Sequence, residues 1–168
     1  MRRIVLALTA AALAIGMVAA PAAARTAAPG SIVDIAIAAS QATDAEFTTL
    51  VAAVVAADPA VLRTLSSQRQ LTVFAPTDAA FAKLGLNAGN IGSLPQGALT
   101  SILLYHVAPG ARYAADVVDS TRIRTLNGGF LSVSLMGGSA YVNDSKIIAV
   151  NIQASNGVIH VIDTVLLP

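Results

Sequence analysis

The stretch LTVFAPTDAAFAKL, residues 71–84, decides the fold of this chain, because it changes from one secondary structure to another within a few residues. Residues 71–75 are apolar and include β-branched and aromatic side chains, which predicts a mostly buried strand. Pro76 ends that strand, since proline has no backbone N–H to donate to a neighbouring strand. The stretch therefore predicts a core strand that turns sharply into a helix.

The second half of this stretch has the features of a short helix. Thr77 provides a hydroxyl that caps the helix, and Asp78 places a carboxylate at the positive end of the helix dipole. The apolar residues that follow are three or four positions apart, so we expect them to share one face against the core: Ala80, Phe81 and Leu84.

The rest of the chain divides into a helical part and a strand-rich part. Apolar residues three and four apart predict helices at 31–39, capped by Ser31, at about 44–57, capped by Thr43 or Asp44, at 60–65 and at 95–105. The second of these helices presents a core face made of Phe47, Leu50, Val51, Val54 and Val55. From Arg112 onward the period is two, which predicts strands at 123–126, 130–135, 140–142, 146–150, 152–154 and 158–162. The Asn156-Gly157 pair predicts a tight turn that joins the last two of these strands in a hairpin. Helices followed by strands argue for an α+β fold.

Three stretches together resemble the signature motifs of the fasciclin domain family. The first is residues 73–84, VFAPTDAAFAKL, and the second is residues 103–110, LLYHVAPG, which is similar to the Tyr-His motif of the family. The third is residues 156–168, NGVIHVIDTVLLP, which is similar to the closing motif. All three occur once and in family order. The resemblance covers residues 31–168 and implies an α+β fold in which helices pack around a wedge of two β-sheets.

The first 24 residues have the pattern of a secretory signal peptide. Arg2 and Arg3 precede an apolar run at 4–20, and Ala22-Ala23-Ala24 offers a small-residue cleavage site. An uncleaved membrane anchor is the alternative, but this run is short for a span and consists largely of alanine. We therefore expect a signal peptide at 1–24, a linker at 25–30 and a domain at 31–168, in a secreted or periplasmic protein with no membrane span after cleavage.

Charge and composition narrow the class of partner. The chain of 168 residues has ten basic and nine acidic residues, and the loss of Arg2 and Arg3 with the signal peptide leaves eight basic residues. The mature protein is therefore close to neutral, which argues against a nucleic-acid partner. Cysteine is absent, so the domain contains no disulfide and no lipid is attached through a cysteine.

The resemblance implies a partner-binding region at Tyr105, His106 and Val107, because the Tyr-His region of animal relatives is implicated in integrin-mediated adhesion. Some animal relatives also have an Asp-Ile pair, tied to integrin binding, where this chain has Asn151-Ile152, so the resemblance adds these two residues to the predicted partner-binding set. Integrins coordinate an acidic ligand through a metal, and the neutral amide of Asn151 is a poor substitute. The residue types alone leave an alternative for the first pair, in which Tyr105 packs and hydrogen-bonds while His106 bonds a local backbone partner.

Other motif residues are assigned structural roles: Thr77, Asp78, Phe81, His160 and Asp163. His160 alternates with Val158 and Ile162 on one strand face, which predicts a buried, hydrogen-bonded histidine. With two histidines, no cysteine and no ligand-spaced cluster, we expect no metal site and no cofactor. No nucleophile elbow or phosphate-binding loop is present, so we expect a protein that is not an enzyme.

These observations favour a noncatalytic adhesion or surface-binding module of the cell envelope or extracellular matrix. Its partner would be a protein or glycan of the cell surface or matrix, and the oligomeric state is not fixed by the sequence. A second class of protein fits the composition as well. The alanine-rich, aromatic-poor core leaves room for a pocket between sheets and helices, as in a periplasmic carrier of a small apolar ligand.

Overall fold

A computed structural model describes residues 30–42 and 46–168, and the structural statements below concern these residues. The predicted signal peptide, most of the predicted linker and the predicted caps Thr43 and Asp44 lie outside them. The elements follow in the order α1 Ile32–Ser40, α2 Thr48–Ala56, α3 Pro59–Leu65, β1 Leu71–Pro76, α4 Asp78–Ala82, α5 Gln96–Tyr105, β2 Val107–Pro109, α6 Ala114–Asp119, β3 Arg122–Arg124, β4 Phe130–Met136, β5 Ser139–Val142, β6 Ser145–Ala154 and β7 Gly157–Ile162. A short 3-10 helix, Ile91–Ser93, precedes α5.

The strands form one bent sheet in the order β2-β1-β7-β6-β5-β4-β3. Strand β6 belongs to both halves of this sheet, because two register shifts between Ile147 and Ile152 change its direction. Beyond β3, the amide of Leu126 donates a 2.8 Å hydrogen bond to the carbonyl of Val107 in β2, so the two ends of the sheet meet. The predicted α+β wedge with helices packed around it is confirmed.

Strand β1 lies at the centre of the fold. All six of its residues are buried, and it pairs in parallel with β7 and antiparallel with β2. Its side chains alternate between two cores. Leu71, Val73 and Ala75 face the helices, whereas Phe74 lies in a second core between the two halves of the sheet. The mostly buried strand predicted from residues 71–75 is therefore confirmed.

The turn from β1 into α4 also agrees with the sequence, with one exception. The Thr77 hydroxyl accepts a 3.2 Å hydrogen bond from the amide of Ala80, and Ala80 and Phe81 are buried. Leu84 is exposed, because α4 ends at Ala82 and the chain turns away before Leu84 can share the helix face. The expectation that Leu84 packs against the core was wrong.

Two elements were missed between residues 107 and 119. The period of two from Arg112 onward predicted only strands, which was wrong for helix α6. This helix is too short to display a helical repeat, and local hydrogen bonding holds it instead. The Asp116 carboxylate accepts from the amide of Tyr113 at 2.9 Å, and Val117 anchors the helix in the core. The short strand β2, Val107–Pro109, was not predicted, since three residues are too few to display an alternating pattern.

Asn156 ties three separate segments together from a buried position. Its side-chain oxygen accepts from the amide of Ile32 at the start of α1. Its side-chain nitrogen donates to the carbonyls of Leu65 and Ser67 at the end of α3, at 2.7 and 2.8 Å. The predicted hairpin at Asn156-Gly157 is confirmed, since Ala154 pairs with Gly157. Asn156 is therefore both a turn residue and an internal link between helices and sheet.

Gly157 is expected to tolerate no side chain. A Cβ at this position would lie 2.0 Å from the carbonyl oxygen of Leu71, and its φ of +156° disfavours other residues. Gly157→Ala should lower the free energy of unfolding by more than about 2 kcal/mol, measured by urea denaturation. Gly97→Ala in α5 is the matched control, because no atom lies within 4 Å of the added carbon. Equal stability of the two variants would contradict the close approach of β7 to β1.

Candidate functional site

The Tyr-His segment lies below the molecular surface. Tyr105 ends α5, His106 follows it and Val107 begins β2, with exposed fractions of 8%, 2% and 2%. In this conformation these side chains offer almost no area to a macromolecular partner. Partner binding at this region stays a prediction, whereas the hydrogen bonds of the Tyr105 and His106 side chains position other parts of the fold.

Tyr105 fixes the beginning of β4. Its hydroxyl donates to the carbonyl of Phe130 at 3.0 Å and accepts from the side-chain amide of Asn143 at 3.3 Å. Its ring packs so closely against Gly129 that a Cβ there would lie 2.7 Å from it. Tyr105 therefore joins the β3–β4 turn to the β5–β6 turn and holds the exposed ring of Phe130 in place from behind.

His106 is a neutral structural link. The amide of Leu166 donates to Nε2 at 3.0 Å, so Nδ1 carries the proton and donates to the carbonyl of Ile102 at 2.8 Å. Both ring nitrogens are thus used within the protein. Burial lowers the pKa of His106 to about 4, although the bond to Ile102 opposes the shift. These contacts agree with the alternative in which the His106 side chain bonds local backbone groups.

His106 should make the fold sensitive to acid. As pH falls from 6.5 to about 4, the His106 ring becomes protonated in the unfolded state but stays neutral in the folded state. The free energy of unfolding should therefore drop by about 3 kcal/mol through this group over that range. His106→Gln should be less stable at neutral pH but should show a shallower loss across the same window, measured by urea denaturation at several pH values.

The ring protons of His106 provide a direct check on this prediction. His160 is present in both the parent and the His106→Gln variant, so the histidine signal that only the parent shows belongs to His106. An NMR titration of the folded protein that placed the pKa of His106 near its ordinary value would contradict the buried, neutral state.

Asn151 supports a helix rather than projecting freely. It lies exposed in the bulged part of β6 with φ of +59°, and its side-chain oxygen accepts a 2.8 Å hydrogen bond from the amide of Ala114, the first residue of α6. Its neighbour Ile152 is half-buried and pairs with Ile159. Of the five predicted partner-binding residues, His106, Val107 and Ile152 line one cavity. Tyr105 and Asn151 do not.

Replacement of Asn151 separates its structural role from a binding role. Asn151→Ala removes the acceptor for the Ala114 amide and places alanine in a left-handed conformation, so the free energy of unfolding should fall by about 1–2 kcal/mol. Asn151→Asp keeps an acceptor at the positive end of α6 and should stay within about 0.5 kcal/mol of the parent. Urea denaturation measures both, and equal losses in the two variants would argue against the capping contact.

The motif residues assigned to the structure form an internal set of contacts. Asp78 does more than its predicted role in its own helix, because its carboxylate accepts from the amides of Thr49 and Thr48 at 2.7 and 3.2 Å and so caps α2. The Asp163 carboxylate accepts from the amide of Lys146 at 3.0 Å and lies 3.7 Å from the Lys83 ammonium. The long-range capping by Asp78 left no signal in the local sequence.

His160 is fully buried against Phe74, with ring centroids 5.7 Å apart. Its Nε2 lies 2.8 Å from the carbonyl of Arg112, which requires a proton on Nε2, and burial lowers the pKa of the ring. Among the described residues, no three histidine, cysteine or acidic side chains are grouped so that they could hold a metal ion. Both histidines therefore contribute hydrogen bonds and packing inside the domain.

An apolar cavity of about 390 Å³ lies between the first three helices and the sheet. The described residues that form its wall include no charged side chain and two polar ones, Ser66 and His106. Val55, predicted to face the core, is instead 75% exposed at the edge of this cavity. The sequence anticipated such a pocket only in outline, from the abundance of alanine.

A second feature is the face of the sheet that points away from the cores. Strand register places one set of side chains together on this outer face: Arg122, Arg124, Phe130, Ser132, Ser134, Tyr141 and Lys146. The guanidinium of Arg122 lies over the Phe130 ring, 4.5 Å from its centroid. No acidic residue occupies these positions. We call these residues the outer face.

The architecture and the three motifs agree with the comparisons with known proteins. The model of the Fasciclin domain matches residues 45–168, and the chain belongs to this family. Protein sll1483 of Synechocystis sp. is 47% identical over 126 residues, which cover 73% of this chain and 67% of that protein. Cell surface glycolipoprotein MPB83 of Mycobacterium bovis is 39% identical over 101 residues, covering 59% of this chain and 44% of that protein.

Among solved structures, a domain pair from the insect cell adhesion molecule Fasciclin I has the same fold. Its TM-score is 0.67 at 19% identity, and the match covers 83% of this chain and 51% of that one. This chain therefore spans about half of that domain pair. Across the described residues, no helix combines the length and apolarity that a membrane crossing requires.

Proposed function

We propose that this protein is a noncatalytic binding module of the cell envelope that recognises an acidic surface protein or glycan through the outer face. The observation that carries the proposal is the grouping of Arg122, Arg124 and Lys146 with the rings of Phe130 and Tyr141. Arginine and aromatic side chains are the residue types that dominate binding energy at protein interfaces. Cations on one face of a nearly neutral domain favour acidic partners.

Tyr105 supports the proposed binding surface indirectly, by holding one of its residues in place. Its hydroxyl holds the backbone of Phe130, and Phe130 in turn lies against Arg122. A ring and a guanidinium that are positioned before binding lose less conformational entropy when a partner arrives. The Tyr-His motif would then act through the surface that it supports, while its own side chains stay buried.

The relatives favour the same location and role. One carries the description of a cell surface glycolipoprotein, and the structural neighbour is described as a cell adhesion molecule. Together with the signal-peptide pattern of residues 1–24, this supports a secreted or periplasmic protein. A single domain would bind modestly, and clustering of several copies on a surface would add avidity.

Charge reversal on the outer face should weaken binding strongly while the fold persists. Arg122→Glu with Arg124→Glu should reduce retention of envelope and matrix material on the immobilised protein by about tenfold or more, because attraction becomes repulsion. Arg63→Glu with Arg69→Glu is the matched control, since both arginines are exposed elsewhere and the net charge changes equally. Retained proteins and glycans are identified by mass spectrometry at low and high salt.

Two results would oppose this proposal. Equal retention by the two double variants would show that the outer face is not the binding surface. Retention that does not weaken with salt would argue against an acidic partner, because exposed charges are screened at high ionic strength.

A further inference from the structure

We propose that the cavity between α1, α2, α3 and the sheet is a binding site for a small aliphatic molecule. This inference does not depend on the proposed surface recognition, since the cavity and the outer face involve different residues. The volume of about 390 Å³ lies within the range of about 300–1,000 Å³ found for small-molecule pockets. It is more than twice the size of an apolar cavity of about 150 Å³ that holds benzene.

The chemistry of the wall selects the class of ligand. Apart from Ser66 and His106, the wall is built from aliphatic side chains and two phenylalanines. His106 offers no free donor or acceptor, because Leu166 and Ile102 occupy its two nitrogens. A polar or charged group inside the cavity would lose its hydrogen bonds to water without replacement. The occupant is therefore apolar along the part that enters.

The cavity also has an apolar entrance. Ile37 of α1, Val55 of α2 and Leu62 of α3 belong to its wall and are 37%, 75% and 40% exposed. Three helices thus bring large, partly exposed apolar side chains to one opening. Ser66 is exposed on the same wall, so a polar end of the ligand can stay at the mouth and remain hydrated.

Small side chains leave the space that a ligand would fill. Ala36 and Ala39 of α1 and Ala75 of β1 line the cavity. Helix α1 cannot simply be displaced at its start, because its first amide is bound by the buried side chain of Asn156 and Ser31 caps it together with Asp34. The helix is therefore held over the sheet while its alanine face leaves room beneath it.

The test is a titration of the full chain with N-phenyl-1-naphthylamine, a neutral fluorophore that brightens in apolar surroundings. We expect saturation at one probe per chain. Straight-chain primary alcohols should displace the probe with an affinity that rises about fourfold for each added methylene until the cavity is filled. Affinity that does not depend on chain length would overturn the proposal.

Two substitutions on α1 provide matched variants. Ala36→Phe fills the cavity and should weaken probe binding at least tenfold, whereas Ala38→Phe lies on the exposed side of the same helix and should leave it within twofold. Ala39→Leu, a smaller filling change, replaces Ala36→Phe if that variant does not fold. Equal binding by filling and control variants would overturn the proposal. The proposal would also be overturned if probe fluorescence rose only at protein concentrations at which analytical ultracentrifugation detects self-association. That result would indicate that a second copy of the chain covers the apolar entrance.

Discussion

The buried amide of Asn156 is the interaction on which the arrangement of the domain depends. It fixes the start of α1 and the end of α3 to the beginning of β7, the strand that pairs with β1. A buried amide that uses its acceptor and both donors is costly to disturb, because its own polar atoms and the three backbone groups that it bonds would lose those hydrogen bonds. The placement of α1 and α3, two of the three helices that cover the cavity, is therefore fixed to the sheet by one side chain in a turn.

The polar side chains of a sequence motif can be used entirely inside the domain. In this domain the hydroxyl of Tyr105 and the two nitrogens of His106 are used for internal contacts, which join α5 to β4 and to the last residues of the chain. The residues that meet solvent are held by these contacts from behind. Binding surfaces can then differ in charge and shape while the internal hydrogen bonds stay the same.

The sequence revealed the elements whose signals are local. Ser31, Thr77 and the Asn156-Gly157 hairpin were read correctly, because capping and turn formation depend on neighbouring residues. The alternation of Val158, His160 and Ile162 correctly predicted a buried histidine. Long-range contacts left no such pattern: Asp78 caps a helix some thirty residues earlier, and Asn151 supports α6 from a bulge in β6. The apolar cavity and the outer face depend on strand register and helix placement, which periodicity does not specify.

The meeting of the two ends of the sheet bears on how densely such a domain can be displayed. Open strand edges are templates for pairing between chains and hence for aggregation. Here the Leu126 amide closes part of the gap between β3 and β2, which leaves little backbone free to recruit another molecule. Copies held close together on one surface are therefore expected to stay separate instead of exchanging strands.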